Sequence, residues 1–185
     1  MPTDDQPEFC RTCIDGIRIP ALLLVAGCGI IVALLLPPIP QPASYHDFAD
    51  QRILFGIPNG WNVLSNLAFV LAGAIGLAGI LGKATARCAL SPAYGVFFGA
   101  VILTGLGSAW YHLAPGNDTL VWDRLPMAVA FMSFLAIIIG EYINMRVGRQ
   151  LLMPLVLLGV LSVWYWYFTE STGHGDLRAY GLVQF

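Results

Sequence analysis

NVLSNLAFVLAGAIGLAGILG, residues 62–82, runs from Asn62 to Gly82 without a charged side chain. The hydrocarbon core of a bilayer is about 30 Å thick and a helix rises about 1.5 Å per residue, so about 20 apolar residues cross it. A lone strand in lipid would leave its backbone groups unpaired, so the stretch is expected to be a helix. Four further stretches of similar length flank it, at about 19–39, 93–114, 124–143 and 150–169. The expected fold class is therefore all-α, a polytopic transmembrane helix bundle over residues 17–185, preceded by a polar, acidic and disordered tail at 1–16. Composition agrees: hydrophobic residues make up 57% and charged residues 11%, and mean hydropathy is +0.72, whereas soluble domains are nearer a quarter charged. A net charge of −2 with no basic cluster excludes a nucleic-acid partner.

The run from Ile19 to Leu36 reads as a retained helix, because its leading flank carries Asp4, Asp5, Glu8 and Asp15 and no small-residue cleavage site follows. Lys83 and Arg87 lie between the second and third stretches, Arg146 and Arg149 between the fourth and fifth. Positive charge in short loops marks the cytoplasmic side. This puts the amino terminus inside a bacterial-type inner membrane and sends His46, Asp47, Asp50, His112, Asp118, Asp123, Glu170, His174 and Asp176 to the outside. Beyond Arg178 the chain turns apolar again through Phe185, which reads as the start of a sixth helix in a longer protein. Cys10 and Cys13 form a CxxC with no second pair, and read as incidental thiols in the tail.

The densest polar constellation brackets the third outside turn: Gly107-Ser108-Ala109-Trp110-Tyr111-His112, then Asp123-Arg124-Leu125-Pro126-Met127. Ser108 and His112 stand i and i+4 on one helix and face the same way. Asp123 is expected to open the next helix near the level of His112. Such groups are costly at membrane depth unless used. Spacing alone leaves open the simpler reading, in which His112 caps its helix at the headgroup boundary.

Ser-x-x-x-His followed by Asp-x-Leu-Pro-Met resembles the alkaline ceramidase family, within the CREST superfamily of membrane hydrolases. Asp47-Phe48-Ala49-Asp50, then Asn59-Gly60-Trp61-Asn62-Val63-Leu64-Ser65-Asn66, is similar to that family's acidic motif and its Asn-x-x-Ser-Asn helix entrance. The resemblance implies a seven- or eight-helix fold and zinc-dependent cleavage of the amide bond of ceramide or a related membrane lipid. Zinc would bring the pKa of a bound water down to about 7. By the same resemblance His112 is one zinc ligand, with the remaining histidines expected beyond Phe185. Asp123 would be the general base and Ser108 a donor to the substrate carbonyl. The family's calcium-binding members use an Asn and a Glu where this chain has Arg52 and Asn59, so calcium is not expected, and Arg52 is expected to pair with Asp50 or Asp47. A solvated loop is the other reading of that segment. The superfamily also holds receptor-like proteins, so a non-catalytic receptor or scaffold is the alternative function. Three further expectations concern structure. Glu141 snorkels or pairs with Arg146, residues 164–168 form an interfacial aromatic belt, and Gly73, Gly76, Gly79 and Gly82 share one packing face. His174 matches no ligand motif.

Overall fold

A computed structural model describes the backbone of residues 8–82 and 89–184, with side chains from residue 18 onward in those ranges. Lys83, Arg87 and the side chains of Cys10 and Cys13 lie outside the described residues. The chain divides into two compact units, Met1–Pro37 and Pro38–Phe185. The first contains helix α1 (Glu8–Leu35), which starts within the segment read above as a tail and includes a membrane-length apolar span, Arg18–Leu35. It stops short of residue 39, because Pro37 disfavours helical backbone at Leu36 and Pro37, Pro38 and Pro40 have no N–H to donate.

The second unit begins with a strap, residues 38–59, holding a 3-10 turn at Ala43–His46. Helices α2 (Gly60–Ser65) and α3 (Leu67–Leu81) form one span, followed by α4 (Ser91–Leu113), α5 (Asn117–Tyr142), α6 (Met145–Ser171) and the short α7 (Arg178–Gln184). Five helical segments, with α1, are thus long and apolar enough to cross a membrane. The fold is all-α, and the chain reads as an integral membrane protein. Helix α4 packs between α3 and α5, α5 against α6, and α7 against α6 and α5. The strap, the α4–α5 turn and the α6–α7 turn consequently fall at one end of this unit. Leu177 donates its N–H to the Ile39 carbonyl at 2.9 Å, and Gln41 donates its own to Glu170 Oε2 at 3.0 Å. Both bonds pin the strap to the α6–α7 turn.

Two helix starts in this unit come five or more residues earlier than sequence suggested. Helix α6 begins at Met145, where the Asn144 side chain accepts from the N–H groups of Arg146 and Val147 at 3.0 and 3.2 Å, an N-cap that satisfies otherwise orphaned donors. Arg146 and Arg149 therefore sit in the first turns of a helix and not in a loop. Helix α5 begins at Asn117, with Asp118 favourably placed at the positive end of the helix dipole. Asp123 lies inside α5, buried, and does not open it.

The glycine face is real for half its length. A Cβ at Gly73 or Gly76 would strike Phe98 or Ile102 of α4, whereas Gly79 has open space around it and Gly82 meets only the Gly79 carbonyl. Three residues turn about 300°, so a strict three-residue spacing drifts about 60° per step and carries the later glycines off the contact. Glu141 accepts from the Tyr94 hydroxyl, an α4–α5 tie, in place of the expected Arg146 pair. The aromatic belt is also divided by helical periodicity. Trp164 and Phe168 are exposed, but Trp166 is fully buried in the core between α5, α6 and α7.

Candidate active site

Ser108 and Asp123 lie where the backbones of α4 and α5 come into contact. A Cβ at Gly107 would collide with the Trp122 carbonyl oxygen and crowd the Asp123 N–H, so the missing side chain lets the two backbones touch. That contact brings Ser108, the next residue of α4, level with Asp123 of α5. Both side chains are buried. Gly107→Ala is expected to cost about 1–3 kcal/mol by overpacking, since the obstacle is backbone and cannot rotate away. Gly99→Ala, in open space on the same helix, should stay within about 0.5 kcal/mol. Thermal unfolding of the two variants in detergent compares them directly; equal stabilities would refute the close-approach role of Gly107.

His112, one turn beyond Ser108, is half-buried with its ring centre 4.5 Å from that of Phe48. Its backbone carbonyl accepts from the Asn59 side chain at 2.8 Å, tying the α2 entrance to the end of α4. Its Nδ1 is buried and has no hydrogen-bond partner. The other histidines are engaged. His46 places Nδ1 2.9 Å from the Tyr111 hydroxyl and Nε2 3.1 Å from Asn117 Oδ1. An acceptor at Asn117 requires Nε2 to carry the proton, leaving Nδ1 to accept from Tyr111. His174, exposed, has Nδ1 2.9 Å from the Thr172 carbonyl.

An orphaned buried imidazole nitrogen suits a metal ligand. Zinc sites take three or four protein ligands, and among the described residues no three His, Cys, Asp or Glu side chains converge. His112 therefore fits zinc as one ligand of an incomplete set. In the acidic loop, Arg52 Nε donates to Asp50 Oδ1 at 2.5 Å. This bond, aided by the backbone N–H groups of Trp61 and Arg52, holds the Asp50 carboxyl below the usual carboxylate range. Asp47 is exposed and stands apart from that pair. Calcium wants six to eight oxygens, whereas here a cation occupies one candidate position and Asn59 turns its amide nitrogen toward His112.

Three residues of this end escape the motifs. Tyr111 is buried and joins His46 of the strap to α4. Gln41 reaches from the strap to Arg124, whose guanidinium is itself buried. An arginine within an apolar span was the available signal for Arg124; nothing local marks Gln41.

A family model described as Ceramidase matches residues 52–184, well over half of the chain. Comparisons with curated proteins and with solved structures give no match. The matched stretch contains Arg52, Asn59, Ser108, His112 and Asp123, and leaves Asp47 and Asp50 just outside it. By this match the chain belongs to the ceramidase family.

Proposed function

We propose that the protein is an intramembrane hydrolase that cleaves the amide bond of ceramide or a related lipid, with zinc as its metal. The observation that carries this reading is that buried Asp123 and Ser108 sit at one helix–helix contact, one turn from the orphaned His112 Nδ1, in a chain of ceramidase family. Asp123 takes a proton from the attacking water as its oxygen bonds to the amide carbon. Ser108 donates a hydrogen bond to the carbonyl oxygen as negative charge develops there. The C–N bond then breaks, and the proton held by Asp123 passes to the departing amine, releasing a fatty acid and a free amine. His112 would hold zinc together with further ligands beyond the described residues; when bound, the metal supplies Lewis acidity at neutral pH. Arg52 supplies, in the acidic loop, the positive charge that calcium supplies in other members.

Turnover of a lipid amide by the intact protein in detergent, followed as fatty acid released, tests the reading. Activity should persist in a calcium chelator. No turnover of any lipid amide would favour the receptor or scaffold alternative. The polar end is assigned to the outside of a bacterial-type inner membrane, on the Lys83/Arg87 and Arg146/Arg149 charges. A reporter fused after Arg87 should be cytoplasmic and one near Asn117 external; the reverse pattern would overturn the assignment.

A further inference from the structure

The last part of the strap, residues 52–60, closes into an apolar hairpin. The Gly60 N–H donates to the Arg52 carbonyl at 3.0 Å, and Leu54 and Ile57 exchange both backbone bonds at 3.0 and 2.9 Å. The two residues between them have left-handed backbone, Phe55 at φ 52° and Gly56 at φ 80°. A two-residue turn of this kind favours Asn-Gly. A bulky side chain is rarely found at positive φ, because its Cβ crowds the backbone. Phe55 thus holds a position that asparagine would fill with less strain.

The turn aims the Phe55 ring outward. Phe55 is 91% exposed and Ile53 73%, while Leu54 and Ile57 are half-buried. A Cβ on Gly60 would strike Leu54, so the hairpin lies against the first residue of α2. Its base is tied at two further points. The Asn62 side chain donates to the Asp50 carbonyl at 3.2 Å, and that of Asn59 to the His112 carbonyl at 2.8 Å. On a frame fixed in this way, the outward apolar side chains have no means of folding back to cover themselves.

The span that follows sets the height of the hairpin. Gly60–Leu81 is 22 residues long. At about 1.5 Å per residue it measures about 33 Å, slightly more than the hydrocarbon core of about 30 Å. Gly60 therefore falls at the boundary between headgroups and acyl chains, and the hairpin lying against it falls at the same level. Trp61 is 55% exposed, as suits an aromatic ring at that boundary.

We infer that this hairpin is a bilayer contact, with Ile53 and Phe55 seated among lipid chains at the headgroup boundary. Two outward side chains fall well short of the about 800 Å² that each partner of a stable protein interface contributes. A lipid surface needs no such area. Apolar exposure that is costly in water becomes favourable in lipid, which offsets the left-handed backbone at Phe55. Asn59, in the same hairpin, holds the end of α4 at His112, so the contact also ties the candidate site to the bilayer surface. The inference does not depend on the hydrolase reading.

The test replaces Phe55 of the intact protein with 4-trifluoromethylphenylalanine and reads fluorine relaxation in phosphatidylcholine nanodiscs. Dissolved oxygen concentrates among acyl chains, whereas a gadolinium chelate stays in water. The ratio of the oxygen effect to the gadolinium effect should be several-fold higher at Phe55 than for the same label at His174. That residue is exposed on the α6–α7 turn of the same unit. A label at Ile53 should behave as at Phe55, and it decides the matter if the Phe55 variant does not fold. Relaxation dominated by gadolinium would place the hairpin in water and overturn the inference. Protection from both agents would overturn it too, as the mark of cover by a second copy or another part of this chain.

Discussion

Asp123→Asn is expected to lower lipid-amide hydrolysis by on the order of 10²–10⁴ in kcat, the usual contribution of a positioned general base. The substitution preserves shape, so the α4–α5 contact at Gly107 should survive. What it removes is a group able to take a proton from water and return it to the leaving amine. Substrate binding and zinc content should change little, because Asp123 is assigned to the water and not to the metal. Ser108→Ala should be milder, on the order of 10²–10³, as for other donors to a developing oxyanion. Rates of fatty-acid release by the intact protein, set beside thermal unfolding of each variant, separate chemistry from folding. An Asp123→Asn protein that turns over at more than about a tenth of the normal rate would remove Asp123 from the mechanism.

His112→Ala should strip the protein of most of its zinc and of its activity together. Loss of one ligand from a set of three leaves too few to hold the ion tightly. The bond from Asn59 reaches the His112 backbone carbonyl, so alanine keeps the tie between the α2 entrance and α4. The loss can then be attributed to the imidazole. Elemental analysis of purified protein is the deciding measurement, since it reads the metal without relying on turnover. If His112→Ala retains both zinc and activity, the ligand assignment is wrong, and the ring is a helix-end residue packed on Phe48.

Helix type, number and approximate extent were legible in sequence because all three rest on local quantities, apolar length and the absence of charge. The shared face of Ser108 and His112 was legible for the same reason, as helical periodicity is fixed over four residues. Where the polar turn residues Asn117 and Asp118 would sit was not local: sequence placed the start of α5 near Asp123, whereas the helix runs on into the turn and leaves Asp123 buried. The later half of the glycine run, Gly79 and Gly82, leaves the contact because a three-residue spacing looks regular in sequence and is a spiral on a helix. The mixed fate of residues 164–168 has the same origin, since five consecutive aromatics point in five directions and only packing selects Trp166 for the core.

By itself, then, the sequence determined that this chain crosses a membrane as an all-α bundle, and it grouped a serine, a histidine and an aspartate at one end. Tertiary structure alone decided which polar groups are paired and which are left open. Gln41 and Arg124 are 83 residues apart and meet only because the strap is pinned across the α6–α7 turn. Asp50 pairs with Arg52, while Asp47 beside it does not. Ser108 lies level with Asp123 because Gly107 has no side chain to hold the Trp122 carbonyl away. Hydropathy and spacing are summed along the chain, but a hydrogen bond or an orphaned donor depends on distances across it, and those exist only once the helices are packed.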